Sequence, residues 1–272
     1  MTSPKLLTDS KSLLMQRARA SSDGLFLHDL AADEVQDRMN MVNRPFNSMA
    51  VVSGFPEHWA KALPQAVTTS DDETLQLETS QYDVVIHALG LHWANDPVGQ
   101  IIQCRRALRP DGLFLGATFG GETLNELRSC LGQAEIEVTG GLSPRIAPMG
   151  EIRDMGGLLQ RAGLALPVAD NQTTNVIYRD IWHLMHDLRA MGETNALTTR
   201  LRTSTRRAVF KRANELYQKT FPAPQGGIKA TFDIVYLTGW SPDESQPKPL
   251  RPGSASARLA DALKTEETPL SD

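Results

Sequence analysis

The residues best suited to chemistry follow short apolar runs in the middle of the chain. His87 comes directly after Val84–Ile86, and His92 and Trp93 follow a few residues later. Runs of this kind are typical of parallel strands buried on both faces, and ligands bind at the carboxyl ends of such strands. His87 therefore either acts as a general base in a cleft or packs at a strand end. The indole of Trp93 is predicted to form pocket wall or core.

A second apolar run, Leu113–Phe119, is followed by Gly120, Gly121 and Glu122. The two glycines permit close approach of a ligand to the backbone. Glu122, at a predicted helix start, either caps that helix or orients a cationic substrate, and the two roles are compatible.

Farther along the chain, a guanidinium, a carboxylate and an amide lie in turns. Arg145 follows a loop rich in glycine, serine and proline, and it either clamps a substrate carboxylate or pairs within its own domain. Glu193 and Asn195 combine groups that recognise an amide or a guanidinium. His183 and His186 stand three apart on a predicted helix, but a metal site needs more ligands than these two. No metal is predicted.

The segments around these residues alternate between strands and helices. Pro97 and apolar residues at helical spacing predict a helix between the two apolar runs, and Arg109–Gly112 ends it in a turn. The strand, helix and strand form one βαβ unit. Thr173–Tyr178 is predicted as a further strand, Tyr178–Phe221 as two helices, and Ala230–Trp240 as the last strand.

Several blocks of the chain resemble a known family. Asp83, near a strand start, and the turn Arg106–Gly112 match hallmarks of strands four and five of class I S-adenosylmethionine (SAM) methyltransferases. From about Gln16 to Ala262 the chain more closely resembles the complex I assembly factor 5 family, related to the carrier-protein methyltransferase of biotin synthesis. The matching blocks are LHWANDPVGQ, LRPDGLFLGATFGGETLNELR, GGLSPRIAP, LLQRAG, MGETNAL, TFDIVYLTGW, ESQ and PGSA.

This resemblance implies an α/β fold, namely a Rossmann-like methyltransferase sheet. The amino-terminal half of the sheet is expected to be shortened. A helical insertion is expected before an antiparallel last strand at the sheet edge. Four segments are predicted: 1–45 as a helical arm, 46–170 as the Rossmann-like core, 171–245 as the insertion with the last strands, and 246–272 as a flexible tail.

The resemblance also implies a SAM site after strand one, where this chain departs from the family pattern. Strand one is recognisable at Ala50–Val52, but Gly54 is followed by Phe55 and Pro56 rather than by more glycines. A bulky ring and a proline narrow the loop and remove a backbone donor, so weak or absent SAM binding is predicted. The residues that the resemblance assigns to the cofactor are Ser53, Gly54, Asp71, Asp72, Ala88 and Leu89.

The stretch from Gly54 to Tyr82 is short for the family. Its 28 residues (82 minus 54) leave little room for two further strands and their crossovers, so one strand-and-helix unit is predicted to be missing. Asp71, Asp72 and Glu73 follow the next strand-like segment and could supply the carboxylate that accepts hydrogen bonds from ribose, but they better resemble the family's acidic cluster near the adenine. They could equally form a solvated turn.

Composition restricts the possible partners. The formal net charge of -4 and pI near 5.9 provide no basic field for nucleic acid, and no apolar run approaches the roughly 20 residues that span a bilayer. Cys104 and Cys130 are too few for a disulfide framework. The basic, serine-rich start could be taken for a transit peptide, but Asp9 and the family's own Arg-rich helix favour a cytoplasmic protein with a helical arm.

The resemblance implies two kinds of function. One is a SAM-dependent, methyltransferase-like enzyme that modifies a protein by methylation. The related mitochondrial factor is regarded instead as hydroxylating an arginine, and a complex I quinone-side-arm subunit is the candidate substrate. The other is an inactive scaffold that binds a client protein during assembly. For the enzyme, the candidate catalytic residues are Glu122, Glu193 and His87, and the candidate substrate contacts are His92, Trp93, Arg145 and Asn195.

Overall fold

The computed structural model describes residues 6–247, in which helices and strands alternate as expected for an α/β protein. The helices of this part are α1 (Ser10–Arg17), α2 (Phe26–Met41), α3 (Pro56–Ala62), α4 (Pro97–Ala107), α5 (Asn125–Thr139), α6 (Ile152–Arg161), α7 (Ile181–Ala190) and α8 (Arg207–Thr220). The strands are β1 (Met49–Ser53), β2 (Ala66–Thr69), β3 (Tyr82–Ala88), β4 (Leu108–Phe119), β5 (Ala165–Tyr178) and β6 (Ile228–Trp240).

The described residues up to Pro242 form one compact unit, which includes the predicted arm, core and insertion. A second unit begins at Asp243, and the structure describes only residues 243–247 of it. Most of the predicted tail, 246–272, therefore lies outside the described residues.

All six strands form one sheet in the order β2-β1-β3-β4-β6-β5. The first four are parallel, whereas β6 runs antiparallel to both β4 and β5. The predicted fold class and the antiparallel direction of the last strand are confirmed. Its predicted place at the edge is wrong, because β6 is buried along most of its length between β4 and β5. The half-exposed β5 forms the edge instead.

The shortened amino-terminal half is also confirmed. Only α3 and β2 lie between β1 and β3, and residues 70–81 return to the sheet without a further helix or strand. Pro56 stands in the first turn of α3, where the missing N–H costs little. The chain therefore leaves β1 directly in a short helix rather than in an extended glycine-rich loop.

Helices cover both faces of the sheet. Val84 and Ile86 lie in the larger core cluster, which also contains buried residues of α2, α5, α7 and α8. Val85, which points to the opposite face, packs in a second cluster with α4 and α6. The pleat thus explains why a continuous apolar run is needed, because Val84, Val85 and Ile86 are all buried, on one face of the sheet or the other.

The two hallmark residues Asp83 and Arg109 have a structural role. Asp83 Oδ2 accepts hydrogen bonds from the backbone amides of Asn47 and Ser48 at 2.9 and 3.0 Å. Arg109 Nη1 donates to Asp83 Oδ1 at 2.6 Å. The start of β3 is thereby joined to the segment before β1 and to the turn after α4.

That turn forms an irregularity at the start of β4. The pairing register shifts between Tyr82 and Val84, and Asp111, not Gly112, has the positive φ of 57°. Gly112 is required by close approach, because a β-carbon there would lie 2.9 Å from the carbonyl oxygen of Arg109. The turn predicted at Arg109–Gly112 is thus present, and Gly112 is needed there for space rather than for a positive φ.

We expect Gly112→Val to lower the free energy of unfolding by about 1 to 3 kcal/mol relative to Asp72→Ala. The added side chain collides with the Arg109 carbonyl, whereas the side chain of Asp72 is exposed and accepts a hydrogen bond from Ser70 Oγ. Urea denaturation of the two variants measures the difference. Equal stabilities would contradict the packing assigned to this turn.

Candidate functional site

The carboxyl end of the parallel sheet is approached by the amino-terminal arm. Asp9 caps α1 by accepting a hydrogen bond from Ser12 N at 3.1 Å. The same side chain accepts a hydrogen bond from Arg200 Nη2 at 2.9 Å, and Asp9 N donates to Ala196 O at 2.8 Å. These contacts attach α1 to the loop that follows α7. As a result, Arg17, the last residue of α1, lies against the loop after β1.

Arg17 fills the space in front of Gly54. A β-carbon at Gly54 would lie 2.3 Å from Arg17 Cζ. Arg17 Nη1 donates to Asp71 Oδ1 at 2.7 Å, and the two side chains are only 6% and 10% exposed. The guanidinium carbon also lies 5.9 Å from the centre of the Phe55 ring. The loop that the sequence assigns to the methionine end of SAM is therefore covered by a residue of the arm.

The residues present do not fit SAM in this arrangement. The cofactor needs open backbone beside the loop after the first strand and a carboxylate free to accept hydrogen bonds from ribose. Arg17 occupies the space beside this loop, in front of Gly54. It also forms an ion pair with Asp71, the candidate ribose-binding carboxylate. Burial alone would raise the pKa of the Asp71 carboxyl, but the charge and hydrogen bond of Arg17 hold it below its ordinary value.

The other predicted cofactor residues lie at the strand ends. Ser53, Ala88 and Leu89 are buried, and Ser53 Oγ accepts a hydrogen bond from Phe55 N at 3.1 Å. Leu89 has a φ of 46°, an uncommon value for a bulky residue. Asp72 is exposed, as expected for the solvated turn that was the alternative hypothesis.

His87 is packed at the end of β3. Its Nε2 lies 2.7 Å from Gln100 Oε1, and Gln100 Nε2 donates to the backbone oxygen of Asp71 at 3.0 Å. Burial lowers the pKa of His87 below its ordinary value, even though the Asp71 carboxylate acts in the opposite direction. The structure therefore gives His87 the packed position rather than a place in an open cleft.

The structure brings His92, Trp93 and Glu193 together across about 100 residues of sequence. Trp93 Nε1 donates to Glu193 Oε2 at 2.8 Å, and His92 Nε2 lies 3.1 Å from the same oxygen. Burial would raise the pKa of Glu193, but the attraction and hydrogen bond of His92 keep it below its ordinary value. Glu193 is thus a buried, ionised carboxylate. Its other oxygen, Oε1, forms no hydrogen bond with any described residue.

A cavity of about 210 Å³ adjoins this carboxylate, and we call it the apolar cavity. It lies between the carboxyl end of β4 and the insertion formed by α7 and α8. The lining includes the apolar residues Trp93, Phe119, Leu127, Met185, Phe210 and Phe232 and the polar residues Arg145, Arg189, Glu193 and Asn195. Such a cavity suits an extended side chain with an apolar stem and a cationic end.

Arg145 and Asn195 line the apolar cavity, but their polar groups are engaged elsewhere. Arg145 Nε and Nη2 donate to the two carboxylate oxygens of Glu135 at 2.9 and 2.6 Å, and Nη1 donates to Thr205. Asn195 Nδ2 donates to the backbone oxygen of Pro144 at 2.8 Å. Both residues therefore build the frame of the cavity, and Arg145 corresponds to the structural alternative left open by the sequence.

Glu122 is not brought into the apolar cavity. Thr123 Oγ1 donates to Asp233 O at 2.9 Å, which ties the turn after β4 to β6. Glu122 is exposed there and accepts a hydrogen bond from Asn125 Nδ2 at 2.6 Å. Of the two candidate catalytic glutamates, only Glu193 therefore lines the apolar cavity.

Sequence reasoning missed Arg17 and His28. Trp59 Nε1 donates to His28 Nδ1 at 3.0 Å, and the His28 ring packs edge-on against Phe55 at 5.1 Å between centroids. Burial lowers the pKa of His28 to about 3. The only sequence signal was the Arg-rich arm motif, because no local spacing links either residue to partners dozens of positions away.

Two further observations concern residues 6–247. These residues contain no cluster of histidine, cysteine, aspartate and glutamate suited to a metal ion. His183, one of the two histidines three residues apart, instead contacts Asp180, with Nδ1 2.7 Å from Oδ1. Within the same range, none of the helices combines the length and apolar character needed to cross a membrane.

Comparison with known proteins agrees with this architecture. A family described as "Methyltransferase domain" matches residues 51–116. The zebrafish (Danio rerio) protein "Arginine-hydroxylase NDUFAF5, mitochondrial" is 38% identical over 202 residues, which cover 74% of this chain and 63% of that protein. The human protein of the same name is 37% identical over 202 residues, covering 74% and 58%.

More distant similarity points to the same fold. "Malonyl-[acyl-carrier protein] O-methyltransferase" of Laribacter hongkongensis is 34% identical over 181 residues, covering 66% of this chain and 58% of that protein. The chain thus spans about three fifths of the length of these relatives. The crystal structure of a putative methyltransferase from Bacillus halodurans has a TM-score of 0.50 at 12% identity, covering 78% of this chain and all of that one.

We expect Arg17→Ala to lower the free energy of unfolding by about 3 to 5 kcal/mol, because it leaves the buried Asp71 carboxylate without its cation. Arg17→Ala combined with Asp71→Asn should recover part of this loss. Arg19→Ala, an exposed control on the same arm, should change stability by less than about 0.5 kcal/mol. Chemical denaturation that gives equal midpoints for Arg17→Ala and Arg19→Ala would contradict the buried ion pair.

We expect the protein to lose stability as the pH falls below about 6.5, in part through His28. In the unfolded chain His28 takes up a proton near pH 6.5, whereas in the folded protein burial delays this to about pH 3, so acid favours unfolding. His28→Gln should reduce the slope of unfolding free energy between pH 6.5 and 5 by up to about 1.4 kcal/mol per pH unit. His186→Gln, at an exposed position, is the control, and equal slopes for the two variants would refute the assignment.

Proposed function

The chain belongs to the class I methyltransferase superfamily and lies close to the NDUFAF5 arginine hydroxylases, and on this premise we propose that it binds a basic side chain of a client protein in the apolar cavity. The observation that carries the proposal is Glu193. It is an ionised carboxylate in an apolar surrounding, with one oxygen held by His92 and Trp93 and the other free of hydrogen bonds to described residues.

The chemistry of this site favours arginine as the bound side chain. A guanidinium donates hydrogen bonds from a planar fork, so one N–H can meet Glu193 Oε1 while the methylene stem contacts the apolar walls. The methionine residues Met185 and Met191 in the lining provide adaptable contact for such a stem. The name of the NDUFAF5 relatives supports the same choice, because arginine is the residue on which they act.

We further propose that the protein acts as an assembly factor, with a subunit of the quinone-side arm of complex I as its client. This role is supported by the Arg17–Asp71 pair, which stands where SAM would otherwise meet the loop after β1. A binding role needs only the cavity and the insertion, both of which are complete. It is the scaffold alternative that the resemblance implied.

Modification of the bound side chain is a second candidate function, and the surroundings of His92 favour it. His92 Nδ1 is buried without a hydrogen-bond partner, directly beside the carboxylate that would hold the substrate. The packed His87 also has a buried Nδ1 without a partner among the described residues, so what distinguishes His92 is its contact with Glu193, which lines the apolar cavity. Mass spectrometry of the client arginine, with and without the gene, would detect an added oxygen atom or methyl group.

A cytoplasmic location is proposed on the evidence of the thiols. Cys104 and Cys130 are free and buried, and burial raises the pKa of the Cys130 thiol to about 11. Buried thiols of this kind serve as packing residues and suit a reducing compartment.

Deletion of the gene followed by complementation tests the cavity. We expect wild type and Glu122→Gln to restore assembled NADH dehydrogenase, and Glu193→Gln to fail while remaining folded. The two variants make the same chemical change, but only Glu193 lies in the cavity lining. Loss of the gene without loss of the assembled complex would exclude the complex I role. Full complementation by Glu193→Gln would exclude the cavity as the working site.

Calorimetry with SAM tests the absence of the usual cofactor site. We expect no heat of binding with wild type, since Arg17 occupies the space beside Gly54 and pairs with Asp71. Binding with a low-micromolar dissociation constant, or SAM carried through native purification, would show that the arm moves aside. In that case SAM-dependent modification would replace the scaffold proposal.

A further inference from the structure

The insertion that covers the apolar cavity has a charge opposite to that of the rest of the chain. Residues 178–221 contain nine basic and four acidic residues, a net charge of +5. The whole chain has a formal net charge of -4, so the remainder carries -9. Positive charge is therefore concentrated in the segment that a client must approach.

Part of this charge forms a surface that we call the basic patch, composed of Trp182, Arg189, Arg207, Phe210 and Lys211. Trp182 and Arg189 stand seven residues apart on α7, and Arg207 and Lys211 stand four apart on α8, so each pair lies on one helix face. The Trp182 and Phe210 rings join the two helices, with centroids 5.7 Å apart.

The cations of the basic patch are not engaged within the described structure. Arg189, Arg207 and Lys211 are exposed and form no ion pair with any described residue. Some other basic residues of the insertion are paired, among them Arg200 with Asp9 and Arg212 with Glu137, whereas Arg206 and Lys219 form no ion pair with a described residue either. Trp182 is 42% exposed, which is unusual for so large an apolar ring and typical of an interaction site.

The basic patch is continuous with the apolar cavity. Arg189 and Phe210 belong to both, and Met185, on the same helix face as Trp182 and Arg189, also lines the cavity. A polypeptide whose side chain enters the cavity must therefore lie across or beside these cations. An acidic segment would be attracted there, and a basic one would be repelled.

From this arrangement we infer that the client segment carries acidic residues next to the basic side chain that enters the cavity. The inference rests on the proposed function, because it describes the sequence around the same bound residue. Trp182 supplies an apolar contact for the segment, while Arg189, Arg207 and Lys211 select its flanking carboxylates. The cavity thus binds a positively charged side chain, and the basic patch binds negatively charged side chains, within one short segment of the client protein.

An acidic protein segment fits the basic patch better than a nucleic acid or a lipid surface does. An extended polyanion contacts a wide area, and the rest of the chain outside the insertion has a formal net charge of -9, which would repel it. The patch is formed by two helices only, and it borders a cavity that accepts a single side chain.

The test measures binding of three synthetic peptides to the full chain by fluorescence anisotropy. The first has a central arginine flanked by glutamate, the second has the same arginine flanked by glutamine, and the third has the glutamate flanks with glutamine at the centre. We expect the first to bind at least about tenfold more tightly than either of the others, with its advantage over the second decreasing as salt is added.

Charge reversal identifies the surface. Arg207→Glu combined with Lys211→Glu should remove the preference for glutamate flanks. The control, Arg153→Glu combined with Arg161→Glu, makes the same change of charge at exposed positions of α6, which packs in the second core cluster, and should preserve the preference. Circular dichroism confirms that both double variants are folded.

The failures are distinguishable. Equal binding of the two arginine peptides, unchanged by either charge reversal, would overturn the inference while the cavity proposal stands. Equal binding of the glutamate-flanked peptides with and without arginine would overturn the cavity proposal, and with it the link between the two sites. Tight binding of duplex DNA or of anionic vesicles that depends on Arg207 and Lys211 would assign the patch to a different class of partner.

Discussion

The buried ion pair between Arg17 and Asp71 is the interaction on which the arrangement of this protein depends. Two charges removed from water are costly unless they meet, so each residue fixes the position of the other. Through this pair the arm is anchored to the end of β2, and Gly54 is covered. The same contact that stabilises the amino-terminal segment therefore decides what can bind beside the loop after β1.

The arm also connects this anchored edge to the apolar cavity. Gln16 Nε2 donates to the backbone oxygen of Asn195 at 3.2 Å, and Asp9 holds Arg200 at the other end of α1. Glu193 lies just before this attached segment, where His92 and Trp93 reach it. The arm thus contacts both the loop after β1 and the turn that presents Glu193.

Much of the fold followed from local patterns. Val84–Ile86 and Leu113–Phe119 identified two central strands because a parallel strand buried on both faces has a nearly continuous apolar sequence. The short distance from Gly54 to Tyr82 predicted the missing strand and helix, since chain length limits the number of crossovers. For the candidate site, the sequence selected His92, Trp93 and Glu193 separately. Their contact could not be predicted, because it joins positions 100 and 101 residues apart.

The amino-acid sequence by itself determined the identity and order of most helices and strands, because periodicity, turn residues and apolar runs act over a few neighbouring positions. Only the tertiary structure decided that Arg17 meets Asp71, that Glu122 faces solvent, and that β6 lies inside the sheet. These outcomes depend on how separate elements are placed against each other. A charged residue shows the same pattern in a sequence whether it faces water, a ligand or a buried partner, and the fold alone determines which of these it meets.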